Sequence, residues 1–271
     1  DFSAATNEAW VAPEIPFTFP VVAKAANGEP YDVLEFEGKR KIWFIDDDAE
    51  LAGMWRSLKD AGYRSTFLVQ ECIPGDDTAM RSVTAYMDST GELRLIGSAR
   101  VLLQDHAPTM IGNPVAMIPE AFPDLWEAPG RLLRHARYRG FANLDIKVDP
   151  RDGRELFFEV NPRIGRNSFY LTAAGANPMA VMLKDLVLDQ RDEPIEVNRQ
   201  VLYSLVPDGV IERYVSDEAL RRKAKSLGRG IDPLRDPAER SLRRRVTIEL
   251  QRLNHYRKFA RNYPQRVDRS R

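Results

Sequence analysis

The 271-residue chain holds 43% hydrophobic residues, enough to bury a substantial core in one large domain or two smaller ones. Forty basic residues stand against forty acidic ones, so no net field draws the chain to nucleic acid or membrane, and no nucleic-acid partner is expected. One cysteine, Cys72, excludes an intramolecular disulfide framework and fits a reducing, cytoplasmic setting, while Lys184 interrupts the best candidate for a membrane span, residues 178–188.

In chain order, residues 17–73 predict strand, turn, strand, helix, strand: PFTFPVVAKAA, NGEPYD, KIWFID, AELAGMWRSLKDAG and STFLVQECI. Asp46, Asp47 and Asp48 are N-cap candidates for that helix, Gly62 closes it, and Leu51, Met54, Trp55, Leu58 and Ala61 form its apolar stripe. From Met80 a second lobe is expected. MRSVTAYMDS and GELRLIGSARVLLQ read as a hairpin, followed by a proline-rich crossing through Ile118 and Pro119 and a helix near residues 125–139. A second hairpin over 140–166 and helices over 168–174 and 179–188 follow. This gives an α+β fold with a small lobe over 1–77, a large lobe over 78–210 and a helical, arginine-rich extension over 211–271.

The second hairpin, GFANLDIKVDPRDGRELFFEVNPRIGR, carries the most chemistry. Side chains alternate along a strand, so Asn143, Asp145 and Lys147 are expected on one face and Leu144, Ile146 and Val148 on the other. The returning strand puts Phe157, Glu159 and Asn161 on one side and Leu156, Phe158 and Val160 opposite, with residues 149–153 as the reversal. Glu159 and Asn161 thus face Asp145. Hard oxygen ligands of this kind suit Mg²⁺, which takes one or two carboxylates plus waters and substrate phosphates. Arg163, two residues on, offers a planar fork to a carboxylate or phosphoryl oxygen.

Asp145 followed by Glu159-Val160-Asn161-Pro162-Arg163 resembles the metal and substrate signature of the ATP-grasp carboxylate–amine ligases. FPVVAKA, ending near Lys24, resembles the family's strand whose lysine contacts ATP phosphates, and FLVQECIPGDD resembles its adenine-binding hinge. The resemblance implies two α+β lobes clamping ATP, with Mg²⁺, or Mn²⁺ in its place, on Asp145, Glu159 and Asn161. It implies adenine contacts from Gln70 or Glu71 and from the backbone around Cys72 and Ile73, and ribose contacts from Asp76 or Asp77. It places a basic residue near Arg100, rather than Arg81, against the transferred phosphate or the substrate carboxylate, and gives Arg163 the carboxylate or the tetrahedral intermediate. Residues 26–29 stand where the family has a glycine-rich flap but hold one glycine. The family's amino-terminal domain has no counterpart before Phe17, and the chain, starting at Asp1, is expected to be the middle of a longer protein or a trimmed product.

Within the family the closest resemblance is to the group containing the D-aspartate ligases of bacterial cell-wall synthesis. It implies an amino-acid substrate and an amine acceptor on a peptidoglycan precursor. Two other readings stay open: a ligase making a small dipeptide or amide metabolite, and a nucleotide-binding regulatory module or inactive fragment. His106, His135 and His255 lack metal-ligand spacing, and no Ser/His/Asp or Cys/His arrangement supports covalent catalysis. In the extension, Leu242, Val246, Leu250, Leu253 and Phe259 are expected to pack one stripe on the body, leaving Arg243, Arg244 and Arg245 solvated or in weak contact with an anionic membrane surface.

Overall fold

The computed structural model describes residues 2–3, 15–108 and 110–263. Contacts divide the chain into a unit ending at Ile73 and a unit from Pro74 to Arg271.

The first unit is a four-stranded antiparallel sheet in the order β1 (Phe2–Ser3), β4 (Thr66–Glu71), β2 (Val21–Ala25), β3 (Trp43–Ile45). Helix α2 (Asp48–Asp60) starts where the aspartate run predicts: the Asp47 carboxylate accepts from the Glu50 N–H at 2.8 Å, and the Glu50 carboxylate accepts from the Asp46 N–H at 2.9 Å. That reciprocal cap satisfies two otherwise orphaned donors. Leu51, Met54, Trp55 and Leu58 then bury against Val21, Ala23, Ile45, Tyr63 and Phe67. The predicted reversal over 27–32 is instead a short helix, α1 (Gly28–Asp32), capped by the Asn27 side chain accepting from Glu29 N–H at 3.2 Å. An asparagine that satisfies a helix end makes a helical turn where a plain reversal was expected.

The second unit is built on a mixed seven-stranded sheet. β5 (Met80–Met87), β6 (Leu93–Asp105), β7 (Asn113–Pro119), β8 (Gly140–Val148), β9 (Glu155–Asn161) and β11 (Tyr203–Ser204) run in the order β11-β7-β6-β5-β8-β9, and β10 (Ile195–Val197) pairs in parallel with β6. The proline-rich crossing is therefore a strand. Its prolines, Pro114 and Pro119, lie near its two ends, where missing N–H donors disturb the ladder least. One sheet face packs on α3 (Pro123–His135) through Val83, Ile96, Leu125, Trp126, Leu133, Leu144 and Ile146. The other packs on α4 (Phe169–Ala173) through Ala99, Met117, Tyr170 and Leu171, while α5 (Pro178–Leu186) adds Val181 and Met182 at the edge of that core.

The C-terminal helices are not an appendage. α6 (Asp208–Tyr214), α7 (Glu218–Ser226) and α8 (Leu242–Asn262) share a core with β6 and β7 in which Leu102, Leu103, Val210, Tyr214, Leu220 and Phe259 are all buried. The expected packing stripe of α8 needs correction. Ile248, Arg252 and Phe259 face inward, whereas Leu242, Val246, Leu250 and Leu253 lie outward. Both faces carry apolar residues, so periodicity alone could not choose between them. Among the described residues no helix is long and apolar enough to cross a membrane.

Candidate functional site

In the first unit, register sorts the nucleotide candidates. Lys24 pairs with Leu68 and Val22 with Gln70, placing Lys24 and Gln70 on one face of the sheet. Val21 pairs with Glu71 and Ala23 with Val69 on the face that covers the α2 core. Of the two alternatives for the adenine contact, Gln70 shares the lysine's face and Glu71 does not. Cys72 and Ile73 follow the strand, partly buried, with Cys72 a free thiol.

The linker after them opens the second unit. Gly75 sits at φ +98°, where glycine alone is at ease, and an added Cβ would also crowd Ala79 at 3.1 Å. Its carbonyl accepts from Lys147 Nζ at 2.9 Å, tying the linker to β8. Asp76 stays exposed; its carboxylate accepts from Thr78 N–H at 2.9 Å and from Ser216 Oγ. Burial raises its pKa, but those hydrogen bonds and the nearby Lys147 charge outweigh it and hold the group below the usual carboxylate range. Asp77 is a correction. Its buried oxygens accept from the Gln104 N–H at 2.7 Å and the Tyr263 hydroxyl at 3.2 Å, and meet His106 Nε2 at 3.0 Å. A carboxylate so occupied pins α8 to the sheet and is not available to ribose.

The hairpin forms with Asp145 opposite Glu159 as expected, while Asn161 lies opposite Asn143, one pair further along the same face. One extra residue, Phe158, bulges out between Asp145 and Ile146, so Phe157 aligns with Ile146 rather than with the acidic row. β9 is also an edge strand, and Phe158 and Val160, expected on the side away from Glu159, are each 40% exposed, as is Phe157. Asn161 Nδ2 donates to Glu159 Oε1 at 2.9 Å, and Arg163 Nη2 donates to Asn161 Oδ1 at 3.3 Å. Burial, then the Glu159 charge, pushes the Asp145 carboxyl up to about 6, with Asn143 and Arg163 pulling the other way. A buried carboxylate raised by a neighbouring negative charge is the arrangement a cation relieves, and the donors are oxygens throughout. The set fits Mg²⁺. Among the described residues no cluster of three or more His, Cys, Asp or Glu is poised for a metal, so an ion here would lean on amide, water and phosphate oxygens as Mg²⁺ does.

Behind Asp145 lies a buried amide network to which the motifs assign no role. Asn143 Nδ2 donates to Asp145 Oδ1 at 3.3 Å, and Asn143 Oδ1 accepts from Thr84 Oγ1 at 3.1 Å and Ser82 Oγ at 3.4 Å. Asn167 Nδ2 donates to Ser82 Oγ at 3.0 Å. A Cβ on Gly165 would come within 2.5 Å of Asn143 Oδ1 and 2.6 Å of Asn167 Oδ1, so only glycine lets the loop after Arg163 close on these amides. The signal in the sequence is Asn143 at two residues before Asp145, on the same face.

Arg100 departs from expectation. The cross-strand row Ile118, Arg100, Arg81, Ile146, Phe157 alternates with the row Pro119, Ala99, Ser82, Asp145, Glu159. Adjacent rows project to opposite faces. Arg100 therefore lies on the α3 face, donating to Glu120 Oε2 at 3.1 Å, and both Arg100 and Arg81 stack over the Phe122 ring at 5.5 and 5.0 Å. Burial, reinforced by the Arg100 charge, pushes the Arg81 guanidinium down to about 10. Lys223 completes the cluster 3.6 Å from Glu120. The structure separates this pair from the carboxylates by the thickness of the sheet.

This chain has the ATP-grasp fold. Its structure is similar to the biotin carboxylase domain of Hydrogenobacter thermophilus 2-oxoglutarate carboxylase, a complex holding MgADP, ADP and bicarbonate, with a TM-score of 0.50 and 18% identity over 68% of this chain and 40% of that one. N5-carboxyaminoimidazole synthetase of Staphylococcus aureus gives 0.48 and 11%, covering 72% and 47%. No family model matches. In sequence the chain is similar to the D-aspartate ligase of Enterococcus faecium (strain Aus0004), 38% identical over 177 residues, which are 65% of this chain and 42% of that protein. The chain spans less than half the length of each of these relatives.

Proposed function

We propose that the chain is the ATP-handling part of an ATP- and Mg²⁺-dependent carboxylate–amine ligase, joining an amino acid such as D-aspartate to an amine of a peptidoglycan precursor. The carrying observation is the pair Asp145–Glu159, extended by Asn161 and Arg163, on the rim of a sheet in an ATP-grasp fold. The similarity to a D-aspartate ligase supports the choice of substrate.

Asp145, Glu159 and Asn161 would hold Mg²⁺, which when bound neutralises charge on the transferred phosphoryl group. Lys24 takes phosphate oxygens; Gln70 and the backbone at Cys72 and Ile73 take adenine, and Asp76 takes the ribose. A carboxylate oxygen of the amino acid attacks the γ-phosphorus and ADP leaves. The amine then attacks the acyl carbon, phosphate departs with the shared oxygen, and the amine gives up a proton as the amide forms. Arg163 steadies the carboxylate and the oxyanion of the second step, and Asn143 fixes the orientation of Asp145. The protein contributes position and fixed charge, as phosphoryl transfer demands.

The test is ADP release with a panel of amino acids, D-aspartate included, and a lysine-containing precursor, using this chain and an amino-terminally longer form. Release that depends on D-aspartate and the precursor is expected. Release driven by other amino acids without a cell-wall acceptor would favour a small-metabolite ligase, and none in either form would overturn the catalytic reading.

A further inference from the structure

α8 carries two apolar faces about 140° apart at 100° per residue. One, through Ile248 and Phe259, is buried in the second unit. The other is the row Leu242, Val246, Leu250 and Leu253, whose residues are 74%, 56%, 61% and 55% exposed and extend about 16 Å along the helix. Over residues 242–262 six arginines and one lysine stand against Glu249 alone, a net charge of +6. Some of that charge is neutralised at home: Arg244 by Glu239, Arg252 by Asp208 and Asp232, and Lys258 by Asp105. Arg243, Arg257 and Arg261, which border the exposed row on one side, have no acidic partner among the described residues. On the other border stand Arg245 and Glu249, the latter held by Arg235.

We propose that this face of α8 docks the protein on an anionic lipid surface. The row is purely aliphatic, without the aromatic anchors that make a specific protein interface. Arginines along its border can lay their stems on the apolar surface and reach headgroup phosphates. The packed face of the helix points the opposite way, so the core of the second unit does not obstruct the approach. A second copy is the poorer occupant. Antiparallel pairing centred on the row lays the border holding Arg243 and Arg257 of one copy along the same border of the other, and parallel pairing sets like against like.

Co-sedimentation of the whole chain with phosphatidylglycerol–phosphatidylcholine vesicles, compared with phosphatidylcholine alone, tests this. Partitioning at least tenfold greater on the anionic vesicles is expected, falling as salt rises. A Leu250→Gln/Leu253→Gln variant and an Arg243→Gln/Arg257→Gln/Arg261→Gln variant, both altered only at the surface and checked by circular dichroism, should each lose most of it. No binding at low salt, or a leucine variant that binds like the parent, overturns the proposal. So does a parent chain that sediments as a dimer and becomes monomeric in the leucine variant, since the row would then belong to a second copy.

Discussion

Asp88, in the turn between β5 and β6, and Asp145, on β8, belong to one sheet and are both withdrawn from water, yet their surroundings are opposite in kind. Asp88 Oδ1 accepts from the N–H groups of Thr90, Gly91 and Glu92 at 2.8–2.9 Å and from Thr90 Oγ1 at 2.7 Å, while Oδ2 accepts from Arg94 Nε at 2.7 Å. Burial alone would raise its carboxyl; these donors outweigh it and hold the group well below the usual carboxylate range. Asp145 has one amide donor at 3.3 Å and a carboxylate across the strand, and is pushed up to about 6 by burial and by Glu159. A buried acid that the fold has saturated belongs to the architecture. One that the fold has left with a like charge and few donors is waiting for something positive.

The largest effect expected from this contrast is on turnover. Asp145→Asn and Glu159→Gln should each lower ADP release by a factor of about 1,000, which is about 4 kcal/mol of transition-state stabilisation. Neither should unfold the protein, since each keeps its volume, and circular dichroism checks that. Near-normal turnover at limiting Mg²⁺ in both variants would reduce the hairpin to a wet sheet edge.

Asp88→Asn should show the reverse. Its turn ties Gly91, at φ +98°, to β6, and an amide cannot accept what the carboxylate accepts, so a loss of about 2–3 kcal/mol is expected in a urea melt, with turnover per folded molecule unchanged. Because the folded pKa is depressed, the charge-dependent part of this stabilisation is full above about pH 4 and fades as pH falls through the folded value. A variant whose loss relative to wild type is as large at pH 2 as at pH 7 would show that the turn needs only shape.

The same linkage runs the other way at Asp145. With a folded pKa near 6 and an unfolded one near 4, the folded state binds more protons in between, and wild-type stability falls as pH rises across that window. The shift is worth on the order of 2 kcal/mol. Without divalent metal, Asp145→Asn should therefore melt about 4 °C or more above wild type at pH 7.5, with the gap closed by pH 4. Mg²⁺ should raise the wild-type melting temperature at pH 7.5 and leave the variant where it was. A gap independent of pH would mean that Asp145 is not strained by its neighbours.

Alternation and acid placement make the Asp145–Glu159 pairing legible in the amino-acid sequence alone, because a hairpin with a short reversal permits few registers. The cap of α2 is legible too, because Asp47 and Glu50 act over four residues. What escapes depends on distant partners. Whether Phe158 bulges is decided by strand pairing, not by its own sequence neighbours. Asp77 reads as a ligand until Tyr263, 186 residues away, is found on its oxygen. The α8 helix offers two apolar rows, and only the β6–β7 core chooses the one holding Ile248 and Phe259.

Arg100 gives the smallest expected effect and the sharpest test of how far register can be trusted over resemblance. Its position along β6 suits a phosphate contact, but its row points toward α3, where Glu120 and the Phe122 ring already receive it. That partly exposed ion pair is worth no more than about 1 kcal/mol. Arg100→Gln removes the charge while keeping most of the stem over Phe122, so ADP release should stay within about threefold of wild type, a change under about 0.7 kcal/mol. KM for ATP should hold as well. Easing the repulsion on Arg81 should offset part of the lost pair with Glu120, leaving the melting temperature within a degree or two. A hundredfold fall in turnover with an intact fold would put Arg100 at the reacting phosphate, and would mean that the face assigned from the β5–β6 and β8–β9 registers is not the one the nucleotide meets.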